Sequence, residues 1–152
     1  MLELPHAVIG ATIAAKVGNP FFALPLAFLA HFLLDILPHW NPHIFTEMQS
    51  TGKVSKKSVT IIVVDALLAL IAGLFMAFQF WPDINRVIII LLGAFVGVLP
   101  DLIEAPYFFL HSKNEFLLKL IKFQGKFQWK TSPFVGILTQ IIVLLLCWLV
   151  LR

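Results

Sequence analysis

The chain is poor in charge: of its 152 residues only 12% are Asp, Glu, Lys or Arg, while 60% are hydrophobic. That balance excludes an ordinary soluble domain and predicts an integral membrane protein. Cysteine is reduced to Cys147 alone, so no intrachain disulfide can form. The net charge of +3 contains no dense basic patch or stacking motif, which leaves a nucleic-acid partner without support. No long polar or low-complexity linker interrupts the sequence, so residues 1–152 are expected to form one domain. The opening residues, Met1-Leu2-Glu3-Leu4-Pro5, lack the basic region of a secretory signal, so the first apolar stretch is expected to be retained. A serine-nucleophile motif, a glycine-rich phosphate loop and a complete zinc-protease signature are also missing.

What the chain has is hydrocarbon in long runs. Four are long enough, or nearly so, to span a bilayer: Phe21 to Leu37, Val59 to Phe80, Val87 to Leu110 and Phe134 to Leu151. A shorter run, Ala7 to Val17, falls below the roughly 20 residues a spanning helix needs and is expected to be short, tilted or re-entrant against the second. Gly18-Asn19-Pro20 and Trp81-Pro82-Asp83-Ile84-Asn85 carry turn chemistry. The expected fold is an all-α polytopic membrane bundle of about five helices, four long spanning helices plus the short first one. Before the last helix, Lys119, Lys122, Lys126 and Lys130 recur at helical spacing beside a stripe of Phe116, Leu120, Phe123 and Phe127, which predicts an interfacial amphipathic segment.

Lysine and arginine orient this bundle, because short loops rich in them stay cytoplasmic. Lys53, Lys56 and Lys57 fall in one long loop, and Lys113, Lys119, Lys122, Lys126 and Lys130 in the other. Lys16, Arg86 and Arg152 fall on the opposite side. The expectation is a multi-pass protein of a cell (inner) membrane with both long loops cytoplasmic, where the lysines meet the anionic headgroups of membrane lipids.

Against this apolar background the ionisable groups stand out, since such groups at membrane depth usually mark a working site. His31 and Asp35 are four residues apart and share one helix face. A helix rises about 1.5 Å per residue, so heights can be counted from the turns. His6 lies thirteen residues before Asn19 and His31 twelve after it, while Asp65 and Asp101 each lie eighteen residues from Asp83. Each hairpin therefore delivers a polar pair at matched height, and Glu104 follows Asp101 at i+3. Several carboxylates buried together repel one another unless a cation or protons neutralise them. A divalent metal held by His6, His31, Asp35 and Asp101 resolves the conflict, and imidazole nitrogen with carboxylate oxygen suits zinc or manganese. The other resolution is protonation of the carboxyls within a hydrogen-bonded polar core. Asp65 is then a further ligand or orienter, and Glu104 the general base. His39, His43 and His111 are expected at the interface, with Glu3 and Glu47 as surface charges.

His6-Ala7-Val8-Ile9-Gly10, the His31-x-x-x-Asp35 pair followed by Leu37-Pro38, and Leu99-Pro100-Asp101 together resemble elements of the inner-membrane metal-dependent hydrolase (YdjM-like) family. The resemblance covers about the first two-thirds of the chain. In that family's pattern the Pro-Asp element comes before the His-x-x-x-Asp element; here the order is reversed, and a Gly-His-Arg-Gly-x-Thr-His-Ser type segment is absent. The resemblance implies a multi-pass membrane protein with a metal site built from those His and Asp residues and a hydrolytic role. On the residues, the leading expectation is a metal-dependent hydrolase opening to the cytoplasm and acting on a lipid-linked ester or phosphoester. A small ion or proton transporter and a non-catalytic scaffold or lipid-binding protein are the alternatives, the first disfavoured because the polar groups crowd toward one end.

Overall fold

Five of the seven helices begin at a residue whose side chain accepts a backbone N–H group that the first turn leaves unpaired. A computed structural model describes all 152 residues, with seven helices and no strands: α1 (Glu3–Val17), α2 (Pro20–Asp35), α3 (Ile44–Thr51), α4 (Lys56–Phe78), α5 (Ile84–Phe109), α6 (Glu115–Gln124) and α7 (Pro133–Leu151). Asn19, Ser55, Asp83, Asn114 and Ser132 supply the accepting oxygens ahead of α2, α4, α5, α6 and α7. Pro20 and Pro133 occupy the first turns of α2 and α7, where their missing N–H is not needed. Gly18, at φ 69°, closes α1 and allows the tight reversal into α2.

The five apolar helices are those the sequence predicts, but three, not four, are long and apolar enough to cross a membrane: α4, α5 and α7. The second run, expected to extend to Leu37, stops at Asp35. Pro38 disfavours helical conformation at Leu37, and the chain turns there to pair His39 with residues 129–131. Sixteen residues reach roughly 24 Å, short of a hydrocarbon core of about 30 Å. Helices α1 and α2 therefore form a short hairpin. The segment before the last helix does form α6, but it ends at Gln124, where Gly125 caps it, and residues 129–131 pair with His39 instead. The remaining helix, α3, lies in the loop before α4, where Glu47 accepts from the Ser55 N–H and the Ser58 hydroxyl.

Burial is inverted relative to a soluble protein. Phe21, Leu110 and Phe134 are more than three-quarters exposed, whereas Ala11, Ala14, Ala23 and the imidazoles of His6 and His31 are buried. In hydrocarbon, helices associate by close packing and polar contacts, which favours small residues at the seams. Short α1 occupies the centre, against α2, α4, α5 and α7. Its Gly10 meets Gly93 and Gly97 of α5 so closely that a Cβ on any of the three would strike the other backbone. At the far end of α1, Arg86 donates to the carbonyl of Ala15 at 3.2 Å.

Candidate metal centre

Gly97 is where the site begins. With no side chain there, the carbonyl of His6 packs on the α5 backbone, and the Gly97 carbonyl lies 2.8 Å from Nδ1 of His31. The two imidazoles stack, with ring centroids 3.9 Å apart and planes at 20°. The equal heights counted from the Gly18-Asn19-Pro20 turn thus become direct contact.

The Gly97 carbonyl only accepts, so Nδ1 of His31 is the donor, and in the neutral ring Nε2 carries the lone pair. That lone pair has no hydrogen-bond partner. It faces carboxylate oxygens of Asp101 at 3.7 Å and Asp35 at 3.9 Å. Asp35 closes α2 and is fully buried. Its Oδ1 accepts from the Met1 ammonium and lies 3.5 Å from Nε2 of His6. The same ammonium is 3.1 Å from that nitrogen.

His39, expected at the interface, is instead fully buried within the cluster. Its Nδ1 donates to the Leu37 carbonyl at 2.9 Å, leaving Nε2 unpartnered and 3.7 Å from Asp35 Oδ1. Burial, and next the Met1 ammonium, hold the His39 imidazole below its ordinary pKa range, so it stands neutral with a free lone pair. Its backbone is fixed by N–H donation to the Trp129 carbonyl and acceptance from Thr131, both at 3.0 Å. Gly136 of α7 leaves room for this segment, since a Cβ there would enter the backbone of His39 and Trp40. His43 and His111 are exposed.

The remaining carboxylates divide by role. Asp101 is partly exposed and accepts from Nε2 of Gln124 at 2.9 Å, which ties α6 to the site. Ligand atoms of His6, His31 and Asp101 all lie within 4.8 Å of one another. Asp65 is occupied otherwise: its two oxygens accept the N–H groups of Glu3 and Leu4, capping α1. It therefore positions the helix that carries His6. Glu104 is buried with Oε1 unpartnered, within electrostatic reach of Asp101 and Asp35. Glu3, expected as a surface charge, turns a buried, unpartnered oxygen toward the same region, near Asp101 and Asp65. Gln140 of α7 accepts from the Leu2 N–H and donates to the Trp40 carbonyl, each at 2.9 Å, which joins the start of α1 to the His39 segment.

Spacing offered a signal for two of the residues that sequence reasoning passed over. His39 follows Asp35 by four, repeating the His31-to-Asp35 interval, and Glu3 precedes His6 by three. Gln140 is a polar break in an apolar run. Gln124 had no signal, because its partner lies on another helix.

Comparison with protein-family models, curated proteins and solved structures gave no match, so the site is read from its own geometry.

Proposed function

We propose that the chain is a multi-pass membrane protein with a metal-dependent hydrolytic site, open to the lysine-rich cytoplasmic side, that acts on a lipid-linked ester or phosphoester. One observation carries this reading. His31 and His39 each commit Nδ1–H to a backbone carbonyl and turn an unpartnered Nε2 lone pair toward a carboxylate. In the neutral ring such a lone pair faces an anion in a buried site, an arrangement that a cation relieves. The donor set fits: His6, His31 and Asp101 would hold a divalent ion, zinc or manganese, with Asp35 and His39 facing it.

When bound, such an ion would polarise the ester or phosphoryl oxygen and acidify a water. The residues of the chain supply the rest. The Leu37 carbonyl and the pairing with residues 129–131 hold His39 in place, and Gln124 donates to Asp101. Glu104, buried with one oxygen free, accepts the proton of the attacking water. A purely structural polar core has one observation in its favour, the Met1 ammonium already paired with Asp35.

The test is elemental analysis of the detergent-purified chain beside His31→Ala/Asp101→Asn, followed by a panel of lipid esters and phosphoesters. One equivalent of zinc or manganese is expected in the parent, absent in the variant, with turnover that a chelator abolishes. Sub-stoichiometric metal in the parent, or equal metal in both, would refute the reading.

A further inference from the structure

A cavity of about 740 Å³ runs from the site along the seam between α4 and α5. It reaches Gly73 and Ala94, where the two helices approach each other: a Cβ on Gly73 would come 3.2 Å from the Cβ of Ala94. From Gly73 down to Asp65 is eight residues, or roughly 12 Å of helix. Along that length the wall is apolar, and Leu70, Phe95 and Leu102 at its mouth are exposed on helices long enough to cross a membrane. The lower end changes character. Glu3, Asp65, Asp101 and Glu104 form part of it, and Lys122 and Lys130, both exposed, are the lysines on its wall.

We propose that this cavity holds an anionic phospholipid, its tail between α4 and α5 and its phosphate at Lys122 and Lys130. The proposal deepens the hydrolytic reading above by naming its substrate class. Lipid tails are as apolar as leucine, so a tail in this groove gains contact atoms but no transfer energy. The apolar half therefore admits hydrocarbon without discriminating, and selection falls to the polar half. Carboxylates alone would repel a phosphate; the two lysines are the side chains of this wall that attract one. Both are tethered to the site. Lys122 is two residues before Gln124, which donates to Asp101, and Lys130 follows Trp129, whose N–H donates to the Asp35 carbonyl. These lysines share the cavity wall with Asp101, one of the three groups that would hold the ion.

The experiment is native mass spectrometry of the full chain in detergent, offered dioleoyl phosphatidic acid, dioleoyl phosphatidylcholine or glycerol 3-phosphate. The parent is expected to retain one phosphatidic acid, less phosphatidylcholine and no glycerol 3-phosphate. Lys122→Gln/Lys130→Gln should weaken phosphatidic acid retention roughly thirtyfold, leaving phosphatidylcholine unchanged. Ala66→Phe, which fills the groove from an exposed position, should weaken both lipids roughly tenfold. Leu67→Phe, on the exposed surface beside it, should change neither. Matched melting curves for the lysine variants keep the test valid should Ala66→Phe fail to fold. Equal retention of the two lipids by the parent, indifference to the lysine or groove variants, or a lipid-free dimer that Ala66→Phe dissociates, each overturns the proposal. Failure here is separable from failure of the hydrolytic reading: lipid selectivity without metal removes only the hydrolase. Metal and turnover that ignore both sets of variants remove only the lipid site.

Discussion

Gly97→Ala is the smallest change that should dismantle the site without touching any of its polar groups. An added Cβ would sit 3.2 Å from the carbonyl carbon of His6 and 3.4 Å from Cα of Gly10, and closer still to the His6 carbonyl oxygen. These are backbone atoms and cannot rotate away, so α1 must retreat from α5 by about an ångström, which forfeits a quarter to a half of the dispersion energy along the seam. Overpacking of this kind costs about 1–3 kcal/mol, and backbone against backbone places it at the upper end. The same retreat carries His6 off the imidazole of His31, now 3.9 Å away centroid to centroid. Supporting contacts of this sort are worth about 10- to 100-fold in metal affinity. Gly73→Ala is the control, since its Cβ would meet only the side chain of Ala94, at 3.2 Å. Thermal melting in detergent and zinc titration should both fall for Gly97→Ala and stay near the parent for Gly73→Ala. Equal behaviour of the two variants would refute the claim that the α1–α5 approach sets the site.

Replacing His39 with Ala should lower metal affinity about 10- to 100-fold, while His43→Ala, at an exposed position, should leave it unchanged in the same titration. Asp65→Asn leaves one acceptor oxygen for the two N–H groups of Glu3 and Leu4, so melting should show a loss of about 1 kcal/mol with metal content retained. The Ser55 backbone N–H, then the Ser58 hydroxyl, hold the Glu47 carboxyl below its usual pKa range. Its folded value is below its unfolded one, so its contribution is complete above the ordinary carboxylate range and disappears as pH falls through the lowered value. Amide exchange in residues 52–58 should accelerate over that window and not above it. Metal removal by a chelator should lower the melting temperature of the parent, because the bound ion stabilises only the folded chain.

Height within the bundle was legible because helical rise is constant and the turns are sharply marked. Counting from Gly18-Asn19-Pro20 put His6 and His31 level, and their rings stack. It was less reliable for what lies beyond a helix end. Once Pro38 stops α2, the course of residues 36–43 depends on pairing with residues 129–131 and on the space at Gly136, neither of which is local in sequence. His39 was lost for that reason. Asp65 was found as a candidate ligand or orienter; that its carboxylate caps the helix carrying His6, more than sixty residues away, has no local signal in the sequence. Hydropathy also ranks helices by length and apolar content, which makes α1 seem peripheral. Its small residues put it at the centre, because in an apolar medium close approach counts for more than bulk.

The shortness of the α1–α2 hairpin and the presence of the site have one cause. His6 lies level with Gly97, and α5 continues twelve residues further, to Phe109. Helix α1 begins three residues beyond His6 and α4 starts nine residues before Asp65, so the hairpin stops roughly 13 Å inside the ends of its neighbours. A helix that ends in a buried place leaves N–H and C=O groups that must find partners there. Asp65 takes the N–H groups of Glu3 and Leu4, and Pro5 has none to offer. At the other end the Asp35 carbonyl accepts from Trp129. Polar side chains are required at this depth by the backbone alone, before any chemistry is considered. A hairpin long enough to span would have carried those ends into the headgroups and left His6, His31 and Asp35 surrounded by hydrocarbon, with neither the Gln124 amide nor the lysines of residues 122–130 within reach.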